Sequence, residues 1–530
     1  MKTLRILIPV LLLLSTGSCK DFLDTQPLTQ ANDENFYKTP QDAYKALVGC
    51  YDGLQVIWSD GVALPVAAEV MSDNCFGGTG NSDGLGYQML DEFDKLRSPS
   101  DQNIFGRTWE LSYQALYRCN VLISKMNQIN WGGNEQLRKT YESEARFIRA
   151  FIYFDMVRLW GNIPLLTEPS RENFPQASPD EVYKVIAEDL KFAAENLPEV
   201  AYSAQPADER GRVTKWAAES LLARVYLYYT GYYGKPDLNG VVTGPQVLGY
   251  LENVISKSGH ALVDSFKNLW PAASLDRYAQ EDNKETVFAI KYSATSDYDG
   301  NLDGNHWMVM LGLRAQWSYP YGNGWGGGTV NPKIWNAFSN NDTRKVASVI
   351  AVKEEKVAFT NQKDQREYTG YYLKKYTPMV DKNGVPLPEA LYKNADFQRG
   401  QYQDYVSVRY ADVLLMAAEL GSPNAQAYFN QVRERAYKDK FTPLQISKDN
   451  IMKERQLEFA FEGIRYWDLL RQGVNKAAAE IAESTTVLNG GVSTPKTISA
   501  SKIIETKGLQ QIPYSQITLS GNVLKQNAGW

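Results

Sequence analysis

Histidine is almost missing from this chain. Only His260 and His306 occur in 530 residues, which argues against a histidine-dependent nucleophilic triad. The four cysteines include no Cys-x-x-Cys pair, so a zinc site of Cys/His type is excluded on spacing as well. Once Cys19 is set aside for the reason given below, Cys50, Cys75 and Cys119 remain. An odd set permits at most one disulfide and rules out a disulfide scaffold. Positive charge is also in short supply. Lys and Arg number 56 against 61 Asp and Glu, a formal net charge of −5, which leaves no basic footprint for nucleic acid. Past the first fourteen residues no apolar run approaches the ~20 residues that cross a bilayer.

What the chain does have begins at its N-terminus. Lys2 and Arg5 precede an apolar run from Ile6 to Leu14, and Ser15-Thr16-Gly17-Ser18 then lead to Cys19. The run is too short to span a membrane, and its charged flank and small-residue exit are those of a cleaved export signal ending in a lipobox. Residues 1–18 are expected to be removed and Cys19 to be acylated. Several acyl chains anchor stably where one binds reversibly. Residues 19–38 then form a flexible tether to a body that works in water.

Along that body, Thr39-Pro40-Gln41-Asp42 predicts a helix from Pro40 to about Gly53. From 62 to 107 the periodicity fails and Gly, Asp, Asn and Ser dominate, which reads as a long loop. Helical spacing returns from Ile104 to Ile129 and from Glu135 to Trp160, where Phe147, Ala150, Phe151, Phe154 and Arg158 share one face. Ser178-Pro179-Asp180-Glu181 is a capping box opening a helix to about Asn196, and further helices are expected over Thr214–Tyr229 and Gly244–Ser256. Residues 261–407 lose this rhythm and read as an irregular, loop-rich insert with strand-like runs such as Val287–Ile290. Helices resume over Val408–Leu420, Pro423–Tyr437 and Asn450–Gly473, before a mixed tail. The organisation is thus N-terminal helical pairs over 39–260, the insert over 261–407, and C-terminal helices and tail over 408–530. Paired helices on both sides of an insert suggest a mainly α, stacked helix-turn-helix array.

Several segments in this order closely resemble one family. They are Cys19-Lys20-Asp21-Phe22-Leu23-Asp24, Arg146–Phe151 running into Leu159-Trp160-Gly161-Asn162-Ile163-Pro164, and Ala217–Leu227. Arg409–Glu419, Glu454-Arg455 through Arg465–Leu469, and the ending Gln526-Asn527-Ala528-Gly529-Trp530 complete the set. Together they resemble the SusD/RagB family of nutrient-binding outer-membrane lipoproteins. The resemblance implies a tetratricopeptide-like superhelix of helical pairs with a loop-rich side, a lipid anchor at the cell surface, and a SusC-like TonB-dependent transporter as partner. It implies capture of an oligosaccharide, or in some members a peptide, without catalysis. A surface glycoside hydrolase is the reading from a different class.

Aromatic rings suit non-covalent sugar capture, because their faces pack on the C–H face of a sugar while polar neighbours bond its hydroxyls. With 12 Trp and 33 Tyr the chain has rings to spare. Trp317-Ser318-Tyr319-Pro320-Tyr321-Gly322-Asn323-Gly324-Trp325 gathers four aromatics in an aperiodic stretch, so Trp317, Tyr319, Tyr321 and Trp325 are candidate ligand contacts. Trp109, Trp160, Trp216, Trp335 and Trp467 fall on helical stripes and are expected to be core. The resemblance adds Asp73 and Asn74, with Tyr87, as polar contacts in the first loop, although that loop lacks the tryptophan of relatives that stack sugar there. Asp299, Asn301 and Asp303 match the first half of a calcium loop. Position twelve, however, is Met310 where a bidentate glutamate belongs, so polar turns are the expected reading and no cofactor is required. Glu454, Glu458 and Glu462 recur every four residues near Arg455, Arg465 and Arg471, a pattern that suits ion pairs between helices better than a glycosidase's acid with a raised pKa.

Overall fold

The computed structural model describes residues 36–59, 64–94 and 104–530. The export signal and Cys19 lie outside the described residues. Six long helices come first: α1 (Pro40–Ser59), α2 (Gly106–Lys125), α3 (Glu135–Trp160), α4 (Pro179–Asn196), α5 (Lys215–Tyr233) and α6 (Gly244–Lys257). Each packs on the next in sequence, and α1 also touches α3. Their ends are set by local chemistry. The Asn134 side chain accepts from the Leu137 amide at the start of α3, and Gly161, at φ 69°, stops it. Ser178 and Glu181 form the capping box of α4. The stripe expected on α3 is realised: Phe147 and Phe151 lie against Phe288, with ring centroids 4.9 and 5.8 Å apart.

After the insert the array resumes with α7 (Tyr410–Glu419), α8 (Ala425–Tyr437), α9 (Lys448–Glu458) and α10 (Arg465–Leu470). α7 joins the two halves by packing on α6 as well as on α8 and α9. One apolar core runs from Ala43 on α1 to Leu524 in the tail, and a smaller cluster around Leu313, Tyr321, Ile350 and Tyr372 holds the insert.

Four stretches differ from the sequence reading. The supposed loop over 62–107 contains two short helices, Leu64–Val70 and Gly86–Asp91, and every residue of the first is buried. A seven-residue helix buried on all sides, Glu69 included, has no amphipathic period to detect. The expected Asn450–Gly473 helix is broken between α9 and α10, where Phe461 and Gly463 adopt φ 68° and 75°. A Cβ on Gly463 would sit 2.6 Å from the Pro65 Cα, so only glycine fits. The helix expected from Val408 starts later because β2 (Tyr405–Arg409) pairs antiparallel with β1 (Thr286–Ile290). The mixed tail holds an antiparallel hairpin of β3 (Glu483–Asn489) and β4 (Val492–Ile498) around Gly490-Gly491.

Candidate functional site

The insert folds back to open a groove of about 530 Å³. One wall comes from the turn over Trp317–Tyr321. Ser318 and Tyr321 exchange backbone hydrogen bonds of 2.9 and 2.8 Å, which throws Tyr319 out at the tip. Tyr321 points the other way and anchors the turn: it is buried, and its hydroxyl donates to Glu355 Oε2 at 2.5 Å. The Val380 and Gly322 amides bond the Pro320 and Pro378 carbonyls at 3.1 and 2.7 Å, tying the turn to the segment that lines the groove floor. The result is that Tyr319 is 42% exposed on a rigid base and lines the groove.

Trp317 stands beside it, 48% exposed. Its indole lies over Gly384, where a Cβ would come within 2.4 Å of the ring, and Gly384 itself has φ 82°. That glycine closes a turn in which the Asp381 carboxylate accepts from the Asn383 and Val385 amides at 2.8 and 2.9 Å. These bonds, set mainly by Val385, hold the Asp381 carboxyl below the usual range. Asp381 and Lys382 line the groove, so Trp317 borders it across this turn.

Two other stretches of the insert complete the lining. Leu275, Asp276, Tyr278, Gln280 and Glu281 supply one, and Gln401, Tyr402 and Gln403 the other. Tyr402 is braced edge-on by the exposed Tyr392, with ring centroids 5.6 Å apart. Tyr278 bonds Glu281, and burial followed by the Glu281 charge raises its hydroxyl pKa. Burial, then the charge of Asp404, pushes the Glu281 carboxyl up to about 8. The raised value favours the neutral acid, which can donate a hydrogen bond, among the amides and tyrosine rings of this lining. Rings with nearby donors and acceptors form a surface for a polyhydroxylated ligand with apolar faces.

The candidates named from sequence are not brought together. Tyr319 lines the groove and Trp317 flanks it. Tyr321 is core. Trp325 is half-buried against His306, ring centroids 5.5 Å apart. Tyr87 is half-buried too, and its hydroxyl reaches Met310 Sδ at 2.9 Å. Asp73 and Asn74 are buried elsewhere: Asp73 takes a two-pronged pair from Arg465 at 2.7 and 2.8 Å, and Asn74 donates to Glu69 at 2.8 Å. Their polar atoms are engaged in joining the Leu64–Val70 region to α9 and α10. Tyr278 and Tyr402 were missed, although each is an aromatic beside glutamine or acid in an aperiodic stretch. The signal that flagged Trp317–Trp325, a cluster of rings, does not single them out.

The remaining candidates take structural partners. In the calcium-like loop the Asp297 carboxylate accepts from the Asp299 and Asn301 amides, and Asn301 Oδ1 from the Asp303 amide at 2.9 Å. These are polar turns. Among the described residues one acidic trio converges closely enough to ligate an ion, Asp91, Glu92 and Glu367. The Lys496 ammonium sits within 2.6 to 2.9 Å of all three. It pins the β3–β4 hairpin to the body.

The glutamates of α9 are locked by arginines. Arg409 donates to Glu285, Glu458 and Glu462 at 2.6, 2.8 and 2.8 Å, and Arg344 to Glu454 and Glu458 at 2.6 and 3.0 Å. Burial alone would raise the Glu458 pKa, but Arg435, Arg409 and Arg344 outweigh it and hold the carboxyl far below its usual range. An acid so held cannot donate a proton near neutrality.

Two family models match the chain: "Starch-binding associating with outer membrane" over residues 68–227 and "SusD family" over 355–530. The SusD-like protein P25 of Formosa agariphila is 26% identical over 517 residues, covering 89% of this chain and 90% of that protein. A laminarin-binding SusD-like protein of known structure superposes with a TM-score of 0.75 at 26% identity, over 93% of this chain and 100% of the other. Surface glycan-binding protein A from Bacteroides fluxus superposes with a TM-score of 0.77 at 24% identity, over 93% and 100%, and speaks to the fold alone. The helical-pair array with its loop-rich insert is thus the architecture of those structures.

Proposed function

The chain belongs to the SusD/RagB family of SusD-like proteins, associated with glycan binding and the outer membrane, and from that premise we propose that it captures an oligosaccharide and delivers it to a SusC-like TonB-dependent transporter. Cys19, acylated, holds it at the cell surface beside the transporter. The ligand lies in the groove between Tyr319 and Tyr402, with Trp317 extending the aromatic surface beyond the rim. The observation that carries this reading is the convergence on one 530 Å³ groove of aromatic rings from three separate stretches, Tyr319 exposed and Tyr278 and Tyr402 half-buried.

Capture requires no chemistry of the protein itself. Glu454, Glu458 and Glu462, the carboxylates a glycosidase reading would use, are ion-paired and serve packing. Laminarin, bound by a relative at 26% identity, is the first glycan to try. Affinity electrophoresis against a polysaccharide panel tests the reading: a glycan retards the wild-type protein, and Trp317→Ala and Tyr319→Ala run faster in that gel. Retardation unchanged in both variants refutes the site. Binding of peptides with no glycan retarded refutes the ligand class.

A further inference from the structure

Three cysteines remain in the body of the protein, and the fold sorts them. Cys75 stands in a two-residue strand opposite Val330, with the Glu69 and Asp73 carboxylates as its charged neighbours and no second thiol. Cys50 on α1 and Cys119 on α2 face each other across the α1–α2 interface, thiol to thiol. Both are fully buried. One turn along the same seam the helices come closer still, since a Cβ on Gly53 would lie 2.9 Å from the Ala115 Cβ and 3.2 Å from its Cα. The seam is therefore tightly packed on the turn next to the two thiols, which are free and in contact in this structure. Arg118 and Arg149 are the nearest charges, and Arg149 is itself engaged by Asp189.

We propose that in the exported protein Cys50 and Cys119 are joined as a cystine that staples α1 to α2, and that Cys75 is the one thiol left over. The inference rests on the reading that the chain works outside the cytoplasm, where disulfides persist. The oxidant is a protein disulfide carrier of the cell envelope. One Cys thiolate attacks a carrier sulfur, forming a mixed disulfide and releasing the first carrier thiolate. The second Cys thiolate attacks the substrate sulfur of that mixed disulfide and releases the other. Two thiols and one disulfide become one disulfide and two thiols, with two electrons passed to the carrier. Burial and the neighbouring thiol both raise the Cys50 pKa, and neither sulfur is exposed in the folded body. The exchange therefore takes place before α1 and α2 close on each other. Thereafter the cystine is sheltered from reductants.

The staple links α1, the first helix after the tether, to the second helix of the array across 68 intervening residues that include the short buried helix Leu64–Val70. It fixes the end of the superhelix nearest the membrane anchor. Differential alkylation of the full chain in its native host is the test. Cells are denatured in one maleimide, reduced, and then treated with iodoacetamide, so that each cysteine reports its state by mass whatever has happened at Cys19. Cys75 is expected to carry the maleimide, Cys50 and Cys119 the acetamide, and the unreduced digest to contain their two peptides joined. Cys75→Ser leaves this pattern unchanged. A reductant added during unfolding lowers the midpoint of the wild-type protein by a few degrees and leaves Cys50→Ala unmoved. Maleimide on both Cys50 and Cys119, or a link to Cys75, overturns the proposal. Protease treatment of intact cells separates the two failures: a surface-exposed protein with free thiols sinks the staple alone, whereas a protein retained inside the cell sinks the reading of its location and the staple with it.

Discussion

Arg409 and Tyr319 mark two regions of the molecule built on opposite terms. Around Arg409 the C-terminal half buries arginines against glutamates in a network of charged hydrogen bonds, and the Glu458 carboxylate is held ionised. Around Tyr319 the insert leaves tyrosines and a tryptophan facing water on braced turns, and keeps an acid, Glu281, protonated. Buried charge is costly unless matched in full, so the first region tolerates little change and does no chemistry. Exposed rings add little to folding and are available to a ligand. Polarity alone does not identify a site: what distinguishes these regions is whether the groups have already found their partners.

The sharpest way to break the contrast is to remove one partner from the locked region. Arg409→Met removes the cation shared by Glu285, Glu458 and Glu462, leaving them Arg435, Arg344 and Lys375, and should cost about 3 kcal/mol, read from urea denaturation, with glycan affinity retained wherever the protein is folded. A loss below about 1 kcal/mol would show that the network holds nothing together. In the open region the sign reverses. Tyr319→Ala or Trp317→Ala should weaken glycan binding about tenfold or more, some 1.4 kcal/mol, and leave the thermal midpoint in place. A midpoint that falls with the affinity would make these rings structural.

Gly384→Ala joins the two behaviours at one residue. The added methyl meets the Trp317 indole at 2.4 Å on a backbone at φ 82°, so the turn strains by about 1 kcal/mol and the indole is displaced. Calorimetry and intrinsic tryptophan fluorescence should both move. Fluorescence and affinity identical to wild type would mean that Trp317 does not rest on that turn in solution.

The smallest effect is in pH dependence, and the regions fall on opposite flanks. The Glu458 carboxyl is depressed in the fold, so its contribution is present above the ordinary value of 4.5 and is lost as pH falls below it. Glu281 is raised to about 8, so its contribution is whole below 4.5 and is lost as pH rises through about 8. Glu281→Gln should flatten the decline of the thermal midpoint between pH 6 and 9 while leaving the acid limb unchanged. An unaltered alkaline limb would show that Glu281 is ionised in the folded protein.

Most of the helical array was legible because its determinants are local. Asn134, Gly161 and the Ser178–Glu181 box act within one turn of themselves, and the α3 stripe repeats often enough to be counted. Leu64–Val70 was not legible, because a helix buried on every side carries no period. The break at Phe461 and Gly463 was hidden for a different reason: what forbids a continuous helix there is Pro65, nearly four hundred residues earlier. The ion pairing of Glu454, Glu458 and Glu462 could be inferred from their spacing and nearby arginines, but Arg344, Arg409 and Arg435, which do most of the holding, are distant in sequence. The groove was half visible. Trp317 and Tyr319 stood out as rings without a helical period, while Tyr278 and Tyr402 were passed over because each lies alone in its stretch. That Tyr321 turns inward while Tyr319 turns outward depends on Glu355 and Pro378, which no local pattern reveals.

The double variant Tyr319→Ala/Tyr402→Ala tests the central claim most directly, because it removes one ring from each of two stretches lining the groove and touches nothing in the helical core. Isothermal titration with the glycan that retards the wild-type protein, run beside thermal unfolding of the same samples, should give an affinity reduced well over tenfold with the unfolding midpoint unchanged. Wild-type affinity in that variant would contradict the account and place the ligand elsewhere on the molecule.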